Sequence, residues 1–329
     1  MSRTWWRWAR LLVGVAILAV LVWRVGTGPF LDGLRTVDWR TLAAAVGIAA
    51  ITTLCCAWRW SLVAHGLGVD VPLGTAFAAY YRSQFLNTTL PGGVLGDVHR
   101  GVRHGRDVGD VGRGLRAVGW ERTAGQVLQI GLTVVALLVM PSPVQSSMPL
   151  IAAGLAVVAL GAVLLARVLP RAGESRWNRA IRTAAADIRG GLLAGRAWPG
   201  IVIASLLVVA GHTSTFLIAA RTAGATASFG QLLPLALLIL LATGIPLNIG
   251  GWGPREGMAA WAFAAAGLGA DLGIATAVVY GVMALVASLP GAAVLITDWL
   301  RRQFRQPEPA EAPLRRAPAI ASPQGVARG

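Results

Sequence analysis

Four long stretches of this chain contain no charged residue. They are 44, 24, 33 and 26 residues long and run over Thr123–Ala166, Ala197–Ala220, Thr222–Pro254 and Leu272–Thr297. An α-helix rises about 1.5 Å per residue, so about 20 apolar residues cross a hydrocarbon core of roughly 30 Å. Because 55% of the residues are hydrophobic and only 13% are charged, a soluble fold would lack polar surface. We therefore predict an all-α, polytopic transmembrane helix bundle.

The basic residues predict how the chain is oriented in the membrane. All 29 are arginine, and they cluster at residues 3–10, 100–122, 167–196 and from 301 onward, whereas the linkers 141–149 and 222–230 carry none. Since positive loops stay on the cytoplasmic side, we expect a multi-pass protein of the cell (inner, cytoplasmic) membrane with both termini in the cytoplasm. The predicted full spans are Leu11–Val25, which we expect to stay uncleaved, Thr41–Trp58, Val118–Met140, Leu150–Leu169, Ile201–Ala220 and Leu272–Thr297. Arginines in short loops suit anionic lipid headgroups, and we expect no nucleic-acid partner.

Two further apolar stretches are interrupted by Pro and Gly. Val71–Gly96 contains Arg82 and a helix-stopping run at residues 87–93, and both its flanks are predicted inside. It favours a re-entrant hairpin from the cytoplasm. Leu232–Gly267 is interrupted at residues 245–256, and both its flanks are predicted outside. It is either a second hairpin from the opposite side or two short spans, which would give about eight spans in total.

The order of these segments repeats within the chain. Each half reads span, span, hairpin, span, and three crossings per half give the halves opposite orientations. We therefore predict a membrane domain over 1–305, built as an inverted repeat with halves of about 1–140 and 149–300. A Pro-, Ala- and Arg-rich tail at 306–329 is expected to be disordered. The alternative is that a chain with 41 glycines shows two Gly-rich breaks without functional meaning.

The sequence lacks the residues that several kinds of catalytic or metal site require. The chain has no lysine for a Walker-type phosphate site, and no HExxH or CxxC motif. Cys55 and Cys56 are adjacent in an apolar run and read as small core residues. We expect no cofactor, no metal and no catalytic residue. An intramembrane enzyme is the weakest hypothesis, because only Glu121, His212 and Asp97 could serve it.

The two breaks mark an interior polar space, because lipid cannot satisfy the N–H and C=O groups of non-helical backbone. Pro254 suits the first position of a helix and Glu256 its first turn, so N–H groups and Arg255 would suit a phosphate. The alternative is that Arg255 and Glu256 flank a cytoplasmic turn. Asp97, after the first break, is alternatively a simple N-cap. We assign phosphate or headgroup binding to Arg82, Arg100, Arg255, Gly92, Gly93, Gly250, Gly251 and Gly253.

Other polar residues are expected to line the same space. Glu121 should face a cavity or pair with arginine, because an intramembrane carboxylate is costly, and Gly125 and Gln129 continue its helix face. An interfacial ion pair is the alternative for Glu121. His212 either relays protons or hydrogen-bonds a neighbouring helix. Arg82 is either a phosphate ligand or a snorkelling side chain. The Gly-rich loop His99–Arg116 is predicted to be interfacial rather than a rigid helix. The polar set is Asn87, Asp97, Glu121, Arg122, Gln129, His212, Asn248 and Glu256.

Three motifs carry a family resemblance. Leu86–Arg100, Glu121-Arg122 and the segment from Ile245-Pro246 to Gly257 resemble the lysylphosphatidylglycerol synthase transmembrane-region family, and the likeness covers about residues 8–300. That resemblance implies a flippase-like domain that moves a lipid across the bilayer. The sequence ends at Gly329 without an aminoacyl-transfer domain, so lysine transfer is not implied.

The leading hypothesis is translocation of an anionic phospholipid or a polyprenyl-phosphate-linked lipid. Arg255, Arg82 and Arg100 would engage the phosphate, Glu121 would balance charge, and the halves would alternate access. The alternative is an accessory subunit or scaffold for a glycosyltransferase or another cell-envelope enzyme. A homo-oligomer and a glycosyltransferase or lipid-synthase partner are both compatible with the sequence.

Overall fold

Helices account for the architecture of the protein. The structure, a computed structural model, describes residues 23, 27–90, 92–168, 176–195, 197–244 and 252–303. Most of the first predicted span, the tail at 306–329, and the predicted site residues Asn248, Gly250 and Gly251 lie outside these ranges. The helices are α1 Gly28–Arg35, α2 Trp39–Gly66, α3 Leu73–Thr89, α4 Leu95–Asp107, α5 Val111–Val139, α6 Met148–Val168, α7 Arg176–Asp187, α8 Trp198–Thr222, α9 Phe229–Thr243, α10 Pro254–Ala265, α11 Ala270–Ser288 and α12 Pro290–Gln303.

The predicted helical membrane bundle is confirmed. Within the described ranges, α2, α5, α8 and the continuous α11–α12 segment are long and apolar enough to cross a bilayer. The apolar helix α6 covers most of the predicted span Leu150–Leu169. The protein is therefore a multi-pass membrane protein.

The corresponding long helices of the two halves, α2 and α8, run antiparallel. The Thr41 hydroxyl at the start of α2 lies 3.4 Å from that of Thr222 at the end of α8. Further along, Gly211 of α8 lies against Thr52, and Gly200 lies against Leu62 near the opposite end of α2. Antiparallel packing of matching helices is the arrangement that an inverted repeat requires.

Each half contains a hairpin of two short helices. The first hairpin is α3 and α4, and its turn places Gly92 and Gly93 at φ of 96° and 61°. The second is α9 and α10, with 15 and 12 residues, and Gly253 before α10 has φ of 120°. Both arms of the second hairpin are shorter than the roughly 20 residues of a full span, which favours a hairpin over two spans.

The hairpins are exchanged between the halves. The first arm of each packs against the last span of the other half, so that α3 lies on α12 and α9 lies on α5. Gly291 of α12 approaches the backbone of Tyr81 in α3, and Gly244 after α9 approaches the side chain of Gln126 in α5. These contacts place each first arm beside a span of the other half.

One expectation about helix boundaries was wrong. The segment predicted as a Gly-rich interfacial loop contains most of α4, because Gly105 and Gly114 bring the backbones of α4 and α5 closer than any side chain would allow. The return arm of the first hairpin therefore continues past Gly96 to Asp107. The predicted last span Leu272–Thr297 is confirmed within the segment Ala270–Arg301, in which Leu289 separates α11 from α12 because Pro290 has no N–H to continue the hydrogen-bond ladder.

Candidate functional site

A cavity of about 320 Å³ lies where the two hairpins meet. Asn87, Thr88 and Gly93 reach it from the first hairpin, and Gly244 and Arg255 reach it from the second. Spans of both halves complete the wall. The described end of the first break and the two described flanks of the second therefore border one interior space, which suits non-helical backbone at membrane depth.

The cavity wall is cationic. Three arginines line it, namely Arg59 of α2, Arg122 of α5 and Arg255 of α10, and no carboxylate occurs among the described lining residues. Amide, hydroxyl and imidazole groups fill much of the remaining polar wall; they belong to Thr52, Tyr80, Gln84, Asn87, Thr88, Gln126, Gln129, His212, Thr215, Thr243, Tyr280 and Ser288. This donor-rich surface suits an anion. No group of three or more His, Cys, Asp or Glu that could hold a metal occurs among the described residues.

Glu121 is fully buried behind the cavity wall. Its Oε1 accepts hydrogen bonds from Nε of Arg59 at 2.9 Å and from the Tyr80 hydroxyl at 3.0 Å. Its Oε2 accepts one from Nη2 of Arg100 at 3.1 Å. A single carboxylate therefore joins α2, α3, α4 and α5, and it is a buried ion-pair partner rather than an interfacial one.

Asp97 holds the turn of the first hairpin together. It accepts hydrogen bonds from Oγ of Ser83 at 3.0 Å, from Nδ2 of Asn87 at 2.8 Å, and from the guanidinium groups of Arg100 and Arg122. The simple N-cap alternative is wrong, because Val94 occupies the N-cap position and Asp97 lies inside the first turn of α4. Asp97 instead fixes both arms of the hairpin to α5.

The charges of this cluster do not cancel. Arg59, Arg100 and Arg122 face two carboxylates, Asp97 and Glu121, which leaves one excess positive charge. The Arg122 side chain is 49% exposed and lines the cavity, whereas Arg59 and Arg100 are buried. The excess charge is therefore presented to the cavity rather than to the protein interior.

His104 adds no further cation to this cluster. Its ring packs edge-on against Trp60, with centroids 5.5 Å apart. Burial lowers the pKa of His104, Asp107 opposes that shift and Arg100 adds to it. The imidazole is therefore neutral near pH 7, because its pKa lies below its usual range.

The second hairpin presents Arg255 in a similar setting. Nε of Arg255 donates to Oε1 of the fully buried Glu256 at 2.9 Å, and Oε2 of Glu256 accepts from the Gly253 N–H at 2.6 Å. The guanidinium lies over the rings of Trp252 and Tyr280 at 5.2 and 5.4 Å. The helix begins at Pro254 as predicted, and the pair is buried rather than flanking an exposed turn.

His212 hydrogen-bonds a neighbouring helix. Its Nδ1 lies 3.2 Å from the hydroxyl of Tyr280, and both residues line the cavity beside Arg255. The contact matches the structural alternative for this histidine and joins α8 to α11.

Two of the arginines assigned to phosphate binding do not line the cavity. Arg82 donates to Oδ2 of Asp298 at 2.6 Å, and Arg103 donates to the same oxygen at 2.5 Å, so this carboxylate joins the first hairpin to α12. Arg100 lies between the rings of Tyr80 and Trp60, at 4.0 and 4.5 Å. Neither guanidinium group is part of the described cavity wall, and the assignment of these two arginines to the cavity is corrected on that ground.

Arg59 takes the place that the sequence analysis gave to Arg82 and Arg100. The predicted second span ends at Trp58 and leaves Arg59 outside it, but α2 continues to Gly66. Gln84 and Gln126 of the wall were also missed. The spacing of Arg122, Gln126 and Gln129 at i, i+4 and i+7 was the available signal for one polar face of α5.

Comparison with known proteins identifies one family. The sequence model described as Lysylphosphatidylglycerol synthase TM region matches residues 7–291. This range contains both hairpins and every residue of the cavity wall named above, and the match confirms the resemblance inferred from the three motifs. Neither a curated protein nor a solved structure matches the chain.

Proposed function

We propose that this chain, which belongs to the lysylphosphatidylglycerol synthase TM region family, translocates a lipid with an anionic headgroup across the cytoplasmic membrane. The arginine-rich end of the bundle would face the cytoplasm, in accordance with the positive-inside rule. The observation that carries the proposal is the cavity wall, which presents Arg59, Arg122 and Arg255 without a carboxylate among its described residues.

The charge of the wall selects the headgroup. Guanidinium groups pair with phosphate through parallel N–H···O bonds, and these bonds are strong where water is scarce. The carboxylates that pair with these arginines are buried and absent from the described wall, so an incoming anion meets guanidinium groups and neutral side chains there. A phosphate diester or monoester on a phospholipid or polyprenyl chain fits this chemistry.

The size of the cavity limits what enters it. A volume of about 320 Å³ lies at the lower end of the roughly 300–1,000 Å³ that small-molecule sites occupy. The headgroup would therefore enter while the acyl or polyprenyl chains stay in the bilayer. The antiparallel packing of α2 on α8, and the packing of each hairpin's first arm against the other half, support an alternating-access mechanism. In that mechanism the headgroup passes through the cavity between the two halves.

The test is a lipid-exchange assay in proteoliposomes. We expect the purified protein to move fluorescent phosphatidylglycerol or a polyprenyl phosphate between leaflets, with no movement of phosphatidylcholine. Arg122→Gln should lower the rate about tenfold or more, because it removes a charge-assisted contact from the cavity. Arg35→Gln is the matched control, since Arg35 is exposed on α1.

Two results would contradict the proposal. One is wild-type protein that moves none of the anionic lipids. The other is Arg122→Gln protein that moves them at the wild-type rate. The first result would favour the alternative of an accessory subunit for a glycosyltransferase or lipid synthase.

A further inference from the structure

One cavity arginine of each half, Arg59 in the first and Arg255 in the second, has the same kind of surroundings. In both, the arginine is paired with a fully buried glutamate, lies near a buried tyrosine, and faces a glycine of the last span of its half. The first set is Arg59, Glu121, Tyr80 and Gly125, and the second is Arg255, Glu256, Tyr280 and Gly281.

The two ion pairs share their geometry. Arg59 directs Nε and Nη2 to Oε1 of Glu121, and Arg255 directs Nε and Nη2 to Oε1 of Glu256. The Nε distance is 2.9 Å in both. A buried carboxylate that binds one edge of a guanidinium fixes the direction of the group, which preorganises it for an anion.

A glycine makes room for each guanidinium. A methyl group at Gly125 in α5 would lie 2.7 Å from Nη1 of Arg59, and one at Gly281 in α11 would lie nearer still to Nη2 of Arg255. Alanine has a higher helix propensity than glycine, so it would favour both helices if space allowed. Gly125 and Gly281 therefore act as slots that let the arginines reach the cavity.

The two sets contact α8 at different positions along its length. In the first set, Nη1 of Arg59 donates to Oγ of Ser205 in α8 at 2.9 Å. In the second set, the Arg255 guanidinium lies over the Tyr280 ring, and the Tyr280 hydroxyl contacts His212, which is also in α8. Ser205 and His212 are seven positions apart on α8, which corresponds to about 10 Å along the helix axis. Arg59 lies nearer the end of α8 that follows the arginine-rich segment.

We propose that these sets are two successive binding stations for one phosphate, each contributed by one half of the inverted repeat. This inference rests on the proposed function and adds the path of the headgroup. The first station, Arg59 with Arg122 and the Glu121 cluster, carries one excess positive charge, whereas Arg255 and Glu256 of the second station cancel. The phosphate rests at the first station and passes through the second on its way across.

The test separates binding from transport with the slot glycines. Fluorescent phosphatidylglycerol is titrated into purified protein in detergent, and its exchange between leaflets is measured in proteoliposomes. We expect Gly125→Ala to weaken binding by about tenfold or more, because it displaces Arg59. Gly281→Ala should leave binding within about twofold of wild type while it lowers transport about tenfold.

Matched variants guard against a loss of folding. Gly131→Ala lies on α5 where a methyl group meets nothing within 4 Å, and it should bind and transport as wild type does. Arg59→Lys and Arg255→Lys keep the charge but lose the two-pronged contact. We expect Arg59→Lys to weaken phosphatidylglycerol binding, as Gly125→Ala does. Arg255→Lys should lower transport and leave binding nearly unchanged, as Gly281→Ala does.

The outcomes distinguish this inference from the proposed function. Wild-type protein that moves no anionic lipid overturns the proposed function. Wild-type transport together with equal loss of binding in Gly125→Ala and Gly281→Ala indicates a single site and overturns the two stations. Normal transport by both Gly281→Ala and Arg255→Lys also overturns them.

Discussion

Glu121 shows how a charged residue is accommodated at the centre of an apolar bundle. It is fully buried, and its two oxygens bind Arg59, Arg100 and the Tyr80 hydroxyl. Removing one partner of a buried pair is costly, because the remaining charge stays in a medium that cannot solvate it. This residue therefore determines both the stability of the first hairpin and the position of Arg59 at the cavity.

We expect Glu121→Gln to lower the free energy of unfolding by about 3–5 kcal/mol, because Arg59 and Arg100 then lack their shared anion. Thermal or denaturant unfolding of the purified protein in detergent measures the change. Asp32→Asn is the control, since the Asp32–Arg35 pair is exposed at 3.8 Å and such pairs contribute about 0–1 kcal/mol. Equal stability of the two variants would contradict this account of Glu121.

The sequence could identify Glu121 but not its partners. A carboxylate next to an apolar run predicts that an arginine pairs with it. Arg59, however, lies 62 positions away in the sequence and just beyond the predicted end of the second span. Arg82 was chosen because it interrupts an apolar stretch, but its partner Asp298 lies 216 positions away. A charged residue within an apolar stretch is expected either to serve a function or to form an ion pair. Only the packing of the helices shows which of the two applies to a given residue.

At the scale of helices, glycine sets how closely the hairpin arms approach. A methyl group at Gly96 would overlap the Ser83 carbonyl oxygen, so α3 and α4 could not keep their separation. Ser83 and Asn87 of α3 both contact Asp97 of α4 at this crossing. The close approach therefore makes these hydrogen bonds possible.

We expect Gly96→Ala to destabilise the protein by about 1–3 kcal/mol, because the added methyl group separates the two arms. The measurement is the free energy of unfolding in detergent, with lipid exchange as a second readout. Gly47→Ala in α2 should instead be neutral or stabilise by up to about 1 kcal/mol, since nothing lies within 4 Å of its added methyl group. A stabilising Gly96→Ala would contradict the observed packing of the arms.

Long helices were predictable and short ones were not. Uncharged runs of 20 residues or more favour membrane spans. Helix α8 begins one residue after the run that starts at Ala197, and α5 continues into the run that starts at Thr123. Helix α4 was missed because glycine lowers helix propensity, whereas its contacts with α5 more than compensate. The break before Pro290 was missed because the surrounding residues remain apolar.

For the whole molecule, α5 separates two loops that should lie on opposite sides of the membrane. It has 29 residues, which is about 43 Å of helix. Asp107 precedes it beside several arginines, and Ser146 follows it in a linker without charges; both are exposed. The positive-inside rule places Asp107 in the cytoplasm and Ser146 outside.

We expect a membrane-impermeant thiol reagent to label Ser146→Cys in intact cells and Asp107→Cys only after the membrane is opened. The background variant replaces Cys55 and Cys56, the buried native cysteines, with alanine. Labelling of Asp107→Cys alone in intact cells would show that the orientation is reversed. Labelling of both positions in intact cells would show that α5 does not cross the membrane.

The inverted repeat is a prediction from counting crossings, because an odd number per half reverses the second half, and the antiparallel packing of α2 and α8 agrees with it. The meeting of the two hairpins at one cavity also agrees with that symmetry. The choice of Arg59, Arg122 and Arg255 for its wall does not, because it depends on which helix faces turn inward and on which carboxylates neutralise the other arginines.

The different positions at which the two sets contact α8 have an electrical consequence. The spacing of about 10 Å between Ser205 and His212, if it is the length of the step between the stations, is roughly one third of a hydrocarbon core of about 30 Å. Carrying one elementary charge through that fraction of a 100 mV membrane potential changes its energy by about 0.8 kcal/mol. For a headgroup with one negative charge in a cell with a negative interior, the voltage would therefore drive the step from Arg59 toward Arg255 and oppose its return.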